Sequence, residues 1–230
     1  CYPLSLLMAA ALAAGESAER ALIGRVANAS LTPQAADSRA LLVALDELSA
    51  VRMTDVGKAL GTQTLQTVMQ TLDANTASSV LLLDTGSHAL LAAKVVTGDR
   101  TAYRFFEPNF AVYGFSQSTR LQHAVEGYLR GEGGELARLY GLADTSELRF
   151  NVIELDTQAI AARVLPSSVQ VGSLLTNQPI PGAQSVSVWE QQSALRHRSL
   201  SENSRMGESL AQLDAYQRVR EFDLATTQLR

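Results

Sequence analysis

The sequence predicts an α+β protein in which a block of helices packs on an antiparallel sheet that follows it along the chain. Apolar residues recur three and four positions apart, the spacing of amphipathic helices, up to about residue 72. From residue 80 to residue 115 they give way to short apolar runs separated by turn residues, which is typical of strands. The chain has 230 residues, 46% of them hydrophobic, and can therefore bury a substantial core.

The first helix is predicted over residues 3–14. Its apolar residues follow the helical spacing, Pro3 suits the first turn and Gly15 suits the end. Further helices are predicted over residues 17–28 and from Thr32-Pro33 through Leu48, followed by two shorter helical pieces that begin at Thr54 and Thr62. These apolar stripes are interpreted as core.

The predicted sheet begins with residues 80–83, a continuous apolar run that fits a strand buried on both faces. A turn at residues 84–86 leads into strands over 88–96, 101–107 and 110–115. A helix over 118–130 then ends in a flexible joint at the glycine-rich residues 131–134. A last strand over 148–155 and a short helix to residue 164 complete the predicted domain.

The register of one hairpin brings three polar residues together. Gly98-Asp99 is a two-residue hairpin signal between two apolar runs, and it pairs residue 97 with residue 100. Continued to the open end of the hairpin, that register puts His88 opposite Asn109 and diagonal to Glu107, all on one face, with diagonal Cβ atoms roughly 7–8 Å apart. Glu107 is therefore expected to reach an imidazole nitrogen of His88.

Cys1 is the only cysteine, and it stands immediately before the first predicted helix. A helix N-terminus favours an anion and lowers the pKa of a thiol, and a protonated histidine lowers it further. With His88 and Glu107 downstream, Cys1 is interpreted as a nucleophile and not as an inert core residue. A lipidated first residue of a mature lipoprotein is an alternative reading of Cys1, but the numbering is expected to begin inside a larger polypeptide.

The composition argues against several functions. The formal net charge is −4 without a basic stripe, so no nucleic acid partner is expected. No run approaches the roughly 20 apolar residues of a membrane-spanning helix, so no transmembrane segment is predicted. No cofactor or metal site is predicted either: His123 lacks metal-ligand spacing and is interpreted as structural or surface, and His197 as solvated basic surface.

The motifs resemble a known family. His88-Ala89, the hairpin and Phe105-Phe106-Glu107-Pro108-Asn109-Phe110 are similar to the His-Ala and Phe-Asp-Pro-Asn motifs of the YopT-like cysteine proteases, a papain-like group of bacterial effectors. Cys1-Tyr2 further resembles part of the Arg-Cys-Asp/Tyr tripeptide of the MCF effector of MARTX toxins and of the related makes-caterpillars-floppy insecticidal toxins. The resemblance covers residues 1–116, with Glu107 in place of the usual Asp.

The resemblance implies a papain-like fold and a thiol protease in which Cys1 attacks, His88 is the base, and Glu107 or Asn109 orients the imidazole. It also implies an effector that is secreted as part of a larger toxin, is delivered to the host cytosol, cleaves itself and acts on host proteins. For MCF-like effectors it implies stimulation by a host ARF small GTPase.

Three domain segments are predicted: a papain-like thiol protease domain over residues 1–165, a linker or wrapping loop over 166–201, and a polar C-terminal helix over 202–230. Other functions remain open at the level of sequence. Cys1 would be a true N-terminal nucleophile if its own α-amine were the base. The same thiol and imidazole would also serve a deamidase or an acyltransferase. A non-catalytic interaction module would use residues 105–110 only as a hydrophobic turn.

Overall fold

The computed structural model describes residues 1–142 and 146–183, and these form three layers, with a six-stranded sheet between two layers of helices. The helices are α1 (Tyr2–Ala14), α2 (Glu16–Leu31), α3 (Ala36–Ser49), α4 (Leu65–Ala74), α5 (Ser118–Leu139) and α6 (Thr157–Ala162). The strands are β1 (Gly57–Thr64), β2 (Ser79–Asp84), β3 (Ala89–Thr97), β4 (Arg100–Glu107), β5 (Ala111–Phe115) and β6 (Arg149–Leu155).

The sheet is antiparallel at every pairing and has the order β1-β6-β2-β3-β4-β5. One hydrophobic core joins α1, α2, α3 and α6 to one face of the sheet, and a second joins α4 and α5 to the other. The α+β class with helices at the N-terminus is confirmed. Within the described residues, no helix combines the length and the apolar character needed to cross a membrane.

Helix α1 is buried along most of its length. Every residue from Leu4 to Leu12 is buried, so the helix is enclosed by the sheet on one side and by α2, α3 and α6 around it. Pro3 lies in the first turn, where its missing N–H costs no hydrogen bond, and Gly15 at φ 103° ends the helix. The sequence-based limits of this helix are correct to within one residue.

The prediction of continuous helices before residue 72 is wrong where the chain forms strand β1. Residues Met53–Asp55 form only a single 3₁₀ turn, and the chain then runs as an edge strand paired with β6. Gly57 permits the pairing, because a Cβ there would lie 2.5 Å from the carbonyl oxygen of Glu154. The segment has little intrinsic β propensity, so its pairing partner decides its conformation. The helix expected from Thr62 begins at Leu65.

A second correction concerns α5, which continues through the predicted glycine joint to Leu139. Gly133 and Gly134 have positive φ angles within it. The helix continues because its last turns are anchored by buried side chains, among them Ala137 and Tyr140. Packing of this kind outweighs the low helix propensity of glycine.

The segment after Leu165 contributes to the first core up to Ala183, through Val169, Val171, Leu174, Leu175, Ile180 and Ala183. Arg25 of α2 holds part of this segment. Its guanidinium donates to the carbonyl oxygens of Thr176 and Gln178 and pairs with Asp37 at 3.0 Å, and the other oxygen of Asp37 accepts from the Ile180 N–H. The remainder of the predicted linker, His197 and the predicted C-terminal helix lie outside the described residues.

We expect Arg25→Ala to lower the free energy of unfolding by about 2–3 kcal/mol, because it removes several charge-assisted hydrogen bonds from a side chain that is only 10% exposed. Urea unfolding followed by circular dichroism measures the change. Arg20→Ala is the matched control: Arg20 lies on the same helix and pairs with exposed Glu16, so its loss should cost less than about 0.5 kcal/mol. Equal costs for the two variants would contradict the role given to Arg25.

Candidate active site

His88 and Glu107 meet at one end of the sheet. The β3–β4 ladder runs without a bulge from the pair Thr97 and Arg100 to the pair Leu91 and Phe106, which is the register expected from the sequence. His88 immediately precedes β3, and Glu107 is the last residue of β4. The Nε2 atom of His88 lies 2.5 Å from Oε1 of Glu107, and both side chains are buried.

The backbone of His88 is fixed by the turn between β2 and β3. The His88 N–H donates to the Thr85 hydroxyl, and the Thr85 N–H donates back to the His88 carbonyl oxygen. Gly86, at φ 86°, donates its N–H to the Asp84 carboxylate. The turn that carries the His88 imidazole is therefore fixed by the hydrogen bonds between Thr85 and His88 and by the one between Gly86 and Asp84.

Asn109 approaches Glu107 through its backbone. It lies in the turn between β4 and β5, beyond the end of the ladder, and its N–H donates to Oε2 of Glu107 at 2.9 Å. The Glu107 carboxylate thus has one oxygen on the imidazole and the other on a backbone donor. Of the two residues considered as orienters of His88, Glu107 is the one whose side chain forms a hydrogen bond with the ring.

Two tyrosines of the α5 region complete the surroundings, and the sequence analysis did not identify either as part of the site. The ring of Tyr140 stacks on the imidazole of His88, with centroids 4.1 Å apart and planes 25° apart. Burial, reinforced by the Glu107 charge, raises the pKa of Tyr140 to about 12, and the same two causes raise the pKa of Tyr128. The sequence signal that could have placed Tyr140 at the end of a helix was Gly141, because a glycine is suited to end a helix directly after Tyr140.

Cys1 lies at the head of α1, partly buried against the first core. One turn later, the Ser5 hydroxyl donates to the carbonyl oxygen of Ala89, the residue after His88, at 3.0 Å. Beyond the other end of α1, Glu19 approaches Arg104, which pairs with Ala93 farther along β3. The helix therefore runs along the sheet, and its first residue lies at the His88 end.

Cys1 and the side chains of His88 and Glu107 lie on opposite faces of the sheet. The residues of β3 and β4 that share a face with His88 and Glu107, such as Leu90 and Phe105, pack with α4 and α5, whereas α1 packs on the other face. Any contact between a thiol at the head of α1 and the imidazole would therefore have to pass around the end of the sheet.

The geometry determines which imidazole nitrogen can act as a base. A carboxylate accepts hydrogen bonds, so Nε2 of His88 carries the proton in the contact with Glu107. In the neutral ring, Nδ1 is then the nitrogen with a free electron pair. The pair Glu107–His88 can therefore act as a base at Nδ1, where the negative carboxylate would stabilise the imidazolium formed by proton transfer.

The other described histidine plays no part in this arrangement. His123 is exposed on α5, in agreement with its interpretation as a structural or surface residue. Among residues 1–142 and 146–183 there is no group of three or more His, Cys, Asp or Glu side chains arranged to hold a metal ion.

Comparison with known proteins assigns the chain to a family. Residues 1–185 match the Mcf1 protease effector domain, and this match covers most of the 230 residues. No curated protein matches the chain. The match agrees with the suspected MCF effector domain, to which Cys1-Tyr2 pointed. The chain belongs to the Mcf1 protease effector domain family, a family of toxin effector proteases.

Proposed function

We propose that this domain is a papain-like cysteine peptidase in which Cys1 is the nucleophile, His88 is the general base and Glu107 orients the imidazole. The observation that supports it best is the buried 2.5 Å contact between His88 Nε2 and Glu107 Oε1 at the end of the sheet where α1 begins. A buried carboxylate that fixes one nitrogen of a histidine leaves the other nitrogen to act on a thiol.

The proposed reaction has two halves. Nδ1 of His88 takes the proton of the Cys1 thiol, and the sulfur attacks the peptide carbonyl carbon to form a tetrahedral oxyanion. Nδ1 then returns the proton to the leaving amine, the C–N bond breaks, and an acyl-enzyme remains. Water, deprotonated by His88, attacks that thioester, the C–S bond breaks, the carboxylic acid product leaves, and His88 returns the proton to the sulfur of Cys1. The oxyanion would be bound by the Cys1 backbone N–H together with a donor from residues upstream of Cys1.

The family match supports a host protein substrate for an effector that acts inside host cells. On this basis we propose that the domain is delivered to the host cytosol as part of a larger secreted toxin, and that it cleaves its own precursor there. A host ARF-type small GTPase is the proposed activator. The predicted helix over residues 202–230 is the proposed contact; stimulation that survives deletion of residues after 200 would exclude that helix.

The test uses a toxin precursor that contains this domain and the residues before Cys1. After exposure to target-cell lysate, intact-mass measurement should show cleaved fragments for the wild type and only the uncleaved precursor for Cys1→Ala, with turnover at least about 10³-fold lower. Thermal unfolding of both proteins checks that the fold is kept. Identical cleavage in Cys1→Ala would show that another protease cuts the precursor and that Cys1 is not the nucleophile.

The same measurement identifies the acceptor of the acyl group. Cleavage with addition of water indicates a peptidase, and attachment of an amine indicates an acyltransferase. A small gain in mass of a host protein without cleavage indicates a deamidase. Only the first result agrees with the proposed function.

A further inference from the structure

The Tyr140 ring stacks on the imidazole of His88. The ring centroids are 4.1 Å apart, the planes are 25° apart, and both residues are buried, at 4% and 6% exposure. A phenol ring over an imidazole excludes water from that face. It also stabilises the imidazolium, because the negative face of an aromatic ring attracts a cation.

The end of α5 is built so that this contact is fixed. The Gly141 N–H donates to the Arg138 carbonyl oxygen and the Leu142 N–H to the Ala137 carbonyl oxygen, the hydrogen-bond pattern of a Schellman motif. Gly141 takes the left-handed conformation this motif needs, at φ 82°. A Cβ on Gly141 would lie 3.0 Å from the hydroxyl of Ser87, the residue before His88.

The end of α5 therefore contacts the turn that carries His88 through the Tyr140 ring on the imidazole, and Gly141 beside it leaves no room for a side chain next to Ser87. The Tyr140 hydroxyl is buried, and its polar neighbours are Glu107, Tyr128 and Asn109. The contact of Tyr140 with the imidazole is made by its ring.

We propose that Tyr140 is a positioning residue for His88, whose ring holds the imidazole in the plane in which Nε2 meets the Glu107 carboxylate and Nδ1 remains directed to the thiol. This inference rests on the proposed function, since it concerns the productive orientation of the proposed base. In this proposal Tyr140 takes no proton and acts only through the orientation of His88.

The experiment uses the single cysteine as a reporter of that orientation. Iodoacetamide reacts with the thiolate, so the ratio of the alkylation rates at pH 8 and pH 6 reports whether a protonated imidazole stabilises the thiolate at pH 6. We expect a ratio below about 3 for the wild type and for Tyr140→Phe, which keeps the ring. For Tyr140→Leu we expect about 10, because the stack is lost and the productive orientation is less populated.

Controls separate the two proposals. Tyr113→Leu removes an aromatic ring that stacks on Phe105 and should keep the wild-type ratio. If His88→Ala raises the ratio but Tyr140→Leu does not, only the role of Tyr140 is overturned. If the wild type has the ratio of an ordinary thiol and His88→Ala does not change it, the proposed function fails, and the role of Tyr140 fails with it.

Two further measurements cover the case in which Tyr140→Leu does not fold, which circular dichroism detects. Tyr140→Met fills a similar volume without an aromatic face and should give the same ratio as the leucine variant. In the folded wild type, the stack should shift the His88 Hε1 resonance upfield through the ring current of Tyr140. A His88 Hε1 resonance at the position of an unstacked histidine overturns the proposal. So does an alkylation ratio for Tyr140→Phe as high as that for Tyr140→Leu.

Discussion

His88→Ala is expected to convert a nearly pH-independent alkylation of Cys1 into that of an ordinary thiol. A thiolate paired with an imidazolium is already formed at pH 6, so its alkylation rate changes little between pH 6 and pH 8. A thiol with a pKa of about 8.5 instead reacts about 80-fold faster at pH 8 than at pH 6, because its thiolate fraction rises by that factor.

The ratio is more informative than the rate at one pH. A thiolate of low basicity is also a weaker nucleophile, so a stabilised thiolate need not react much faster at pH 6 than an ordinary thiol. Dividing the two rates removes that intrinsic difference. The comparison with His88→Ala isolates the imidazole from other positive potential near Cys1, including that of the α1 N-terminus.

His123→Ala is the matched control, because His123 is an exposed histidine on α5. It should keep the wild-type ratio. A His88→Ala protein with an unchanged ratio and an intact fold would show that Cys1 and His88 do not form the proposed pair.

Glu107→Gln is expected to lower precursor cleavage by about 10²–10⁴-fold with the fold retained, as expected when a charged orienter is replaced by a neutral amide. The carboxylate accepts from both His88 Nε2 and the Asn109 N–H. A glutamine has only one acceptor oxygen. If its amide nitrogen faces His88, Nε2 must become the acceptor, the ring proton moves to Nδ1, and the base is lost. The rate of appearance of the cleaved fragment measures the effect.

Asn109→Ala and Glu147→Gln are the control variants for the loss of precursor cleavage expected in Glu107→Gln. Asn109→Ala keeps the backbone N–H that contacts Glu107, so its activity should stay within about tenfold of the wild type. Glu147 is an exposed carboxylate paired with Arg149, and its change to glutamine should have no effect. A severe loss in Asn109→Ala together with a mild one in Glu107→Gln would instead assign the orienting role to the Asn109 side chain.

Local sequence patterns were sufficient to predict the segments whose structure is determined by their neighbours along the chain. The spacing of apolar residues with Pro3 and Gly15 located α1, because these signals act within single helical turns. The Gly98-Asp99 turn located the β3–β4 register and therefore the contact of His88 with Glu107, because a tight hairpin leaves one register for both strands.

Distant packing decided the features that the sequence misassigned. Strand β1 exists because β6 pairs with it, and α5 crosses its glycines because the second core holds its last turns. The position of Tyr140 over His88 was not predicted because of the second of these errors. A helix that ended at Arg130 would not have carried Tyr140 to His88.

By itself the sequence determined the α+β class, the family motifs and the approach of a carboxylate to one imidazole nitrogen. Only the tertiary structure decided that α1 and the side chains of His88 and Glu107 lie on opposite faces of one sheet, with the first turn of α1 beside Ala89 at the end of the sheet that carries them. The physical reason is that a hairpin register is set by residues a few positions apart. The placement of a helix on a sheet depends on which apolar faces of the whole chain can be buried together.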